Sequence, residues 1–403
     1  MESTKENSLN ISQKRFFLNK NLLIVFGITL ISILGVSSIS PAFPKIIQEV
    51  GISNQAVGLL FTVFTIPSVI LTPVLGIFAD RFGRKKILIP SLMLFGIAGF
   101  LCSFSSNFTH LLIWRFFQGI GSGSLGTLNL TIIGDLYSGP DLTKAMGYNG
   151  AVTSIGTAIF PIIGGALAMY GWYYPFMLPI IAIPMGILVL FLLENPEPKQ
   201  NYELIKYVSN ALKNMRNRNV LVLFIASIIT FILLYGSLLT YFPILIDYLF
   251  NISPIIINVS TFIIGLIISS YSIAAIISSG LLGKITEFYS RKILIKMAFM
   301  LYGSALLLIP IISELWMYLI PFILFGIAQG INVPSIQALF ADLSPMEQRG
   351  IFMSINGMFL FLGQTLGPLL TGLLFGLWGI AAPFVIGGIF SLGFFLLLII
   401  ILK

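Results

Sequence analysis

Cysteine and histidine are almost missing from this chain, with one of each among 403 residues. The single Cys102 excludes an intramolecular disulfide; it sits in an apolar run and reads as a small buried side chain. One cysteine and one histidine cannot assemble a usual zinc site, and His110 falls in a loop, where a surface role is expected. No Ser/His/Asp or paired-carboxylate arrangement stands out, so neither an enzyme nor a cofactor is expected. Charge is equally scarce: Asp, Glu, Lys and Arg are 9% of the residues, against about one quarter in ordinary soluble domains. All 14 acidic residues lie on termini, loops or the ends of apolar runs. No Gly-x-x-x-x-Gly-Lys-Ser/Thr loop occurs, which argues against ATP as an energy source used by this chain. Apolar and polar residues do not alternate, which excludes a membrane β-barrel.

What the chain does have is apolar length. Hydrophobic residues make up 57% and the mean hydropathy is +1.01. Runs of 18 or more apolar residues recur, each long enough to cross roughly 30 Å of hydrocarbon as a helix. The first, Leu22 to Phe43, is longer than a signal-peptide core and lacks a small-residue cleavage site, so it reads as a span. Windows and breakers predict twelve helices near 22–44, 56–78, 87–105, 109–134, 144–169, 174–193, 220–246, 258–283, 293–312, 315–341, 350–375 and 381–402. The expected fold class is therefore an all-α membrane protein.

An even number of spans puts both termini on one side. All but two of the 22 basic residues fall on the termini or on alternate loops, the exceptions being Lys45 and Arg115. Basic loops stay inside, so both termini are expected in the cytoplasm of a multi-pass protein of the cell membrane. The net charge of +8 then reflects topology and contact with anionic lipid headgroups rather than nucleic-acid binding. The longest internal polar stretch, 194–219, divides residues 1–193 from 220–403. Within it Leu204, Val208, Leu212 and Met215 recur at helical spacing, compatible with a short helix on the headgroup surface or with a solvated linker.

The two halves repeat. Gly76-Ile-Phe-Ala-Asp80-Arg81-Phe-Gly83-Arg84-Lys85 corresponds to Gly283-Lys-Ile-Thr-Glu287-Phe-Tyr-Ser-Arg291-Lys292, a shift of 207 residues. The same shift takes Asp135 to Asp342, Asn149 to Asn356, Gly150 to Gly357, Gly156 to Gly363, Pro161 to Pro368 and Gly165 to Gly372. Six spans per repeat unit give two six-helix bundles of like orientation, an arrangement that places a ligand site near the midplane between them.

At these residues the chain resembles the major facilitator superfamily, and within it the twelve-helix drug/proton antiporter group. Gly76-x-x-x-Asp80-Arg81-x-Gly83-Arg84-Lys85 matches that family's signature loop between the second and third helices. Leu112-x-x-Arg115-x-x-Gln118-Gly119-x-Gly121 is similar to its fourth-helix motif. Gly156-x-x-x-Phe160-Pro161-x-x-Gly164-Gly165 resembles the fifth-helix motif of antiporters, with Phe160 where that pattern has glycine. Trp172, Pro175 and Phe176 resemble the family's turn into the sixth helix.

Two kinds of site residue follow. Asp80, with Arg81 and Arg84 beside it, is either a surface anchor or a gate latch meeting the positive end of the eleventh helix near Gly350. Gly156, Pro161, Gly164 and Gly165 allow helices to pack closely, and also to slide or bend when the halves rock. Arg115 is a cation within a span, costing at least about 2.5 kcal/mol unless it faces a cavity or a partner; the other reading is snorkelling to the outer headgroups. Gln118, one turn on, is its candidate neighbour. Asn129, Tyr235, Tyr241, Tyr271, Gln329, Asn332 and Gln337 complete a largely apolar, lightly polar expected cavity, each residue serving ligand contact or helix-to-helix hydrogen bonding. Asp135 and Asp247, the acids nearest the membrane, are end-of-helix anchors or proton carriers.

The leading reading is an alternating-access secondary transporter that exports apolar or amphipathic small molecules. Direction and exchange against protons are implied by the resemblance, and a monomer is expected. A facilitator or symporter for a polar metabolite is the alternative that fits the missing embedded carboxylates, and a non-transporting membrane receptor is the rival from another class.

Overall fold

A computed structural model describes residues 19–137, 139–194, 217–250, 254–343 and 349–402. These residues form twelve long helical segments: α1 (Lys20–Val50), α2 (Leu59–Phe82), α3 (Arg84–Cys102), α4 (Phe108–Leu136), α5 (Gly139–Ala168), α6 (Tyr174–Leu192), α7 (Arg218–Phe250), α8 (Pro254–Gly280), α9 (Arg291–Ile311), α10 (Leu319–Leu343), α11 (Arg349–Trp378) and α12 (Ala382–Ile401). Eleven of the described segments are long and apolar enough to cross a membrane. The twelfth, α4, has the length with 29 residues, but Arg115, Gln118, Ser122, Ser124 and Asn129 dilute its apolarity. All five are buried within the protein, so lipid does not meet them. The predicted linker helix over 204–215 lies outside the described residues.

Each helix start is written in the local sequence. Asn19 and Asn217 cap the starts of α1 and α7, each amide oxygen accepting from the backbone N–H two residues on at 3.0 Å. Asn107 does the same for α4 through the His110 N–H at 2.9 Å. These caps satisfy donors that a helix start leaves bare. Gly83 closes α2 with φ of 100°, a backbone geometry that L side chains resist, which accounts for the glycine between α2 and α3.

Two helices depart from the predicted spans. The expected first helix, 22–44, runs on to Val50 but is broken over Ser38–Ala42, where Pro41 removes a backbone donor and a 3-10 turn replaces the α ladder. The expected seventh, 220–246, extends to Phe250 and widens to a π-helix over Leu233–Tyr241. Both irregular stretches are buried against other helices, where non-helical backbone is tolerated inside a membrane.

The repeat is visible in side-chain contacts. Arg84 Nε donates to Asp135 Oδ2 at 3.0 Å, and Arg291 Nη1 to Asp342 Oδ2 at 2.5 Å, each joining the start of the third helix of a half to the end of its fourth. These pairs, Lys20–Glu194 at 3.2 Å and the caps Asn19 and Asn217 mark one face of the protein, the basic face. A hydrogen bond from Lys20, then one from Asn21, holds the Glu194 carboxyl below its usual range. The opposite face carries Trp172, Trp316 and Trp378, the last two 59% and 65% exposed, as expected of an aromatic belt at a membrane boundary. Lys45, a basic residue of that opposite face, donates to the carbonyls of Ala168 at 3.0 Å and Met169 at 3.1 Å, so its charge caps the end of α5.

Removing the α4 cap tests this account. Asn107→Ala is expected to lower stability by about 1 kcal/mol, read as a fall in the thermal melting point of the detergent-solubilised protein.

Candidate functional site

The two halves meet along two helix pairs related by the repeat. On one side α2 packs on α11: the Thr65 and Thr365 hydroxyls are 2.7 Å apart, and Thr62 Oγ1 donates to Thr365 O at 3.1 Å. On the other α8 packs on α5: Ser272 Oγ donates to Thr157 O at 3.1 Å, and Thr261 Oγ1 to Gly165 O at 3.0 Å. Glycine meets proline in both pairs. A Cβ on Gly58 would lie 3.0 Å from Pro368 Cβ, and one on Gly265, which stands 207 residues later, would run into Pro161 O. Pro161 and Pro368 lack a backbone N–H, so a carbonyl one turn back in each helix loses its ordinary partner.

The seal is one-sided. Among the described residues, hydrogen bonds between halves lie from the middle of the helices towards the Trp-rich face, where Ser40 Oγ donates to Leu239 O and Gln48 Nε2 reaches Asp247 Oδ2 at 3.4 Å. Towards the basic face no hydrogen bond joins the halves among the described residues. A Cβ added at Gly76, Gly147, Gly150 or Gly280 would meet nothing within 4 Å. The seal thus lies on one side, with open space beside α2, α5 and α8 on the other.

Of the expected gating residues, Pro161 and Gly165 lie in the seal, and Gly156 and Gly164 pack α5 on α1 of the same half. Gly156 faces Leu30 and Ile33 of α1, Gly164 abuts Ser38 O at the break in α1, and Gly165 abuts Thr261 O. Gly76 and Gly83 stand at the basic end of α2, Arg84 is engaged by Asp135, and Arg81 lies over the Phe82 ring at 5.5 Å. The side chain of Asp80 and its expected contact near Gly350 lie outside the described residues.

Arg115, with 0% exposure, faces protein partners rather than lipid, and Gln118 is one of them. Its Nε donates to Leu60 O at 3.0 Å, and its Nη1 donates to Gly35 O at 2.9 Å and to Gln118 Oε1 at 2.7 Å, while the guanidinium lies 4.2 Å from the Phe64 ring centroid. The cause is the break in α1. Because the ladder stops at Ser38, the Gly35 carbonyl is left for another donor, and Arg115 supplies it while tying α1, α2 and α4 together. Gln118 serves the same knot.

Most of the other expected ligand contacts are also helix-to-helix bonds in this state. Asn129 Nδ2 donates to Thr29 Oγ1 at 2.8 Å, and Thr29 donates to Asn149 Oδ1 at 2.6 Å. In the second half Tyr302 donates to Gln329 Oε1 at 2.6 Å, and Asn332 Nδ2 donates to Thr230 Oγ1 at 2.8 Å. Tyr241 stacks on Phe375 with ring centroids 5.3 Å apart, and Tyr235 meets Phe61 of the other half at 5.6 Å. Tyr271 is buried, its backbone against Gly326. Gln337 alone of the nine lines a small recess, with room for about one water, that it shares with Ser227, Thr230, Phe231, Asn356 and Leu360. Asn356 carried a signal in the sequence, its match to Asn149; Ser227 and Thr230 carried none.

Two measurements follow. Arg115→Leu leaves carbonyls bare in a dry interior at about 1–3 kcal/mol each, so a large loss of thermal stability is expected, with Arg115→Lys rescuing it incompletely because one ammonium lacks the planar fork. In a Cys102→Ala background, Gly265→Leu is expected to force the seal apart and raise the labelling rate of a cysteine at Ser40 by a membrane-impermeant maleimide severalfold. Gly280→Leu, on the open side, leaves that rate unchanged.

Comparison with known proteins agrees with this architecture. Residues 25–263 and 248–403 match the Major Facilitator Superfamily. The chain is 27% identical over 377 residues to the bacillibactin exporter of Bacillus subtilis (strain 168), covering 87% of this chain and 88% of the relative. It is 26% identical over 374 residues to multidrug resistance protein 2 of the same organism, covering 91% of each. A solved nucleoside transporter, NupG, superposes with a TM-score of 0.76 at 16% identity, over 96% of this chain and 100% of that one. Twelve helices, an internal repeat and a seal between halves at one end thus stand together with the sequence match: this chain belongs to the Major Facilitator Superfamily and is a secondary transporter.

Proposed function

We propose that the chain exports apolar or amphipathic small molecules across the cell membrane by alternating access, with both termini in the cytoplasm and protons as the exchanged ion. The observation that carries this is the one-sided seal, which in this reading leaves a cleft on the opposite side. The cleft opens on the basic face, which the positive-inside bias assigns to the cytoplasm, and no charged side chain lines its recess among the described residues. Apolar walls with a few hydrogen-bonding groups suit ligands that partition into membranes. The exporters among its relatives support the direction. Residues 1–193 and 220–403 are the two rocking bodies in this reading, the monomer is the working unit, and Asp80 latches the basic face when it closes.

For the proton we propose Asp247. It lies near the Trp-rich end of α7, in the seal, touched by Gln48 of the other half, and its Oδ1 is buried with no hydrogen-bond partner among the described residues. Opening of the seal would expose this carboxyl to the outside, and closing would remove it from water, the cycle a proton carrier needs. One observation favours the alternative of a facilitator or symporter for a polar metabolite: no carboxylate lines the recess itself.

Reconstitution into liposomes with an imposed pH gradient separates these readings. Movement of a lipophilic dye linked to the gradient is expected, and Asp247→Asn should abolish that linkage while dye counterflow persists. Metabolite counterflow with no response of dye to the gradient would favour the facilitator, and linkage that survives Asp247→Asn would clear Asp247 of the role.

A further inference from the structure

Glycine meets proline alike on the two sides of the seal, but the hydroxyls there do not match. The shift of 207 residues pairs Ser269 with Thr62, Ser272 with Thr65 and Ala158 with Thr365. On the α2–α11 side the Thr62 hydroxyl donates to Thr365 O, and the Thr65 and Thr365 hydroxyls bond each other at 2.7 Å. On the α5–α8 side Ala158 offers no hydroxyl. Ser272 takes the Thr157 carbonyl at 3.1 Å, and Ser269, 1% exposed, has no hydrogen-bond partner for its Oγ among the described residues.

The two sets answer differently to separation of the halves. Each threonine hydroxyl carries one hydrogen, and each has an acceptor in its own helix one turn back: Thr65 Oγ1 stands 2.9 Å from Phe61 O, and Thr365 Oγ1 stands 2.8 Å from Phe361 O. Parting therefore costs a single bond between them and leaves neither hydroxyl bare. Ser269 is placed the other way round. Under the closed seal its hydroxyl is removed from water without an acceptor, a burial that disfavours the closed state. Opening admits water to the α5–α8 seam and satisfies it.

We infer that these hydroxyls set the balance between the two states of the cycle, with Thr65 and Thr365 holding the Trp-rich face shut and Ser269 favouring its opening. This balance rests on the alternating-access reading above and adds the residues that fix how often the Trp-rich face opens. A carrier that must visit both states needs a small difference between them. A bond with a fallback on each side, opposed by an unmet hydroxyl across the axis, supplies one.

The test is the rate at which a membrane-impermeant maleimide labels Ser40→Cys, in a Cys102→Ala background, with the full-length protein in nanodiscs. Ser40 is fully buried in the seal, so labelling reports opening. Thr65→Val and Thr365→Val are each expected to raise the rate about fivefold, equivalent to about 1 kcal/mol. The double variant should exceed neither, because both changes remove the same bond. Ser269→Ala is expected to lower the rate about fivefold, a direction that general loosening of the fold does not give. Should that variant fail to fold, Ala158→Thr, which copies the hydroxyl of the other side, must lower the rate instead, and an unchanged rate refutes the assignment. Additive effects of the two valines, or a rate that Ser269→Ala leaves unchanged or raises, overturn the inference while the seal still opens. No labelling of Ser40→Cys in any variant would sink the alternating-access reading, and the inference with it.

Discussion

A single buried cation without a carboxylate sets the terms for the first half of this protein. Arg115 is held by carbonyls of α1 and α2 and by the Gln118 side chain, with the Phe64 ring against its face. Such a charge is tolerable inside a membrane only where dipoles replace water, and the break in α1 at Ser38–Ala42 provides one of them. Cation and break therefore depend on each other. Without the break the Gly35 carbonyl would be spent within its own helix, and without Arg115 it would be left bare in a dry interior.

The break also shapes the seal. Gly164 of α5 approaches the backbone at Ser38, and Ser40 reaches α7 of the other half, so the irregular stretch of α1 touches both its own bundle and the opposite one. In the second half the corresponding irregularity is the π-helical stretch of α7, where Gly236 lies 2.7 Å from the Gly367 carbonyl when given a Cβ, and Ser237 donates to Pro383 O at 2.7 Å. The two halves thus reach similar irregular geometry with different chemistry. Phe322 and Phe325 stand where the repeat would put Arg115 and Gln118, so the second half has no charge to hold and fills that space with rings.

Much of the fold was legible in the sequence because it follows from solvent. Spans are set by apolar length, and the pairing of halves by a constant shift that carries Arg84–Asp135 onto Arg291–Asp342. The site was less legible for a specific reason. A polar residue within a span announces that it needs a partner, but not whether that partner is a ligand or a neighbouring helix. Asn129, Gln329 and Asn332 found helices; Gln337, indistinguishable from them in the sequence, faces the recess. The other acceptors of Arg115 were hidden because they are backbone carbonyls, which leave no mark on the sequence.

Symmetry explains the seal, and departure from symmetry explains the recess. Closure needs equal surfaces on both sides of the axis, which the pairs Gly58–Pro368 and Gly265–Pro161 provide. Recognition needs the opposite, because a ligand that is not itself two-fold symmetric gains nothing from duplicated contacts. The change from Asn129 to Ile336 removes the amide that bonds Thr29 in the first half, while Ser227 keeps only its bond to Asn356 in the second among the described residues. A repeated fold can therefore keep its moving parts matched and still acquire selectivity through a few substitutions on one side, without disturbing the helices that rock.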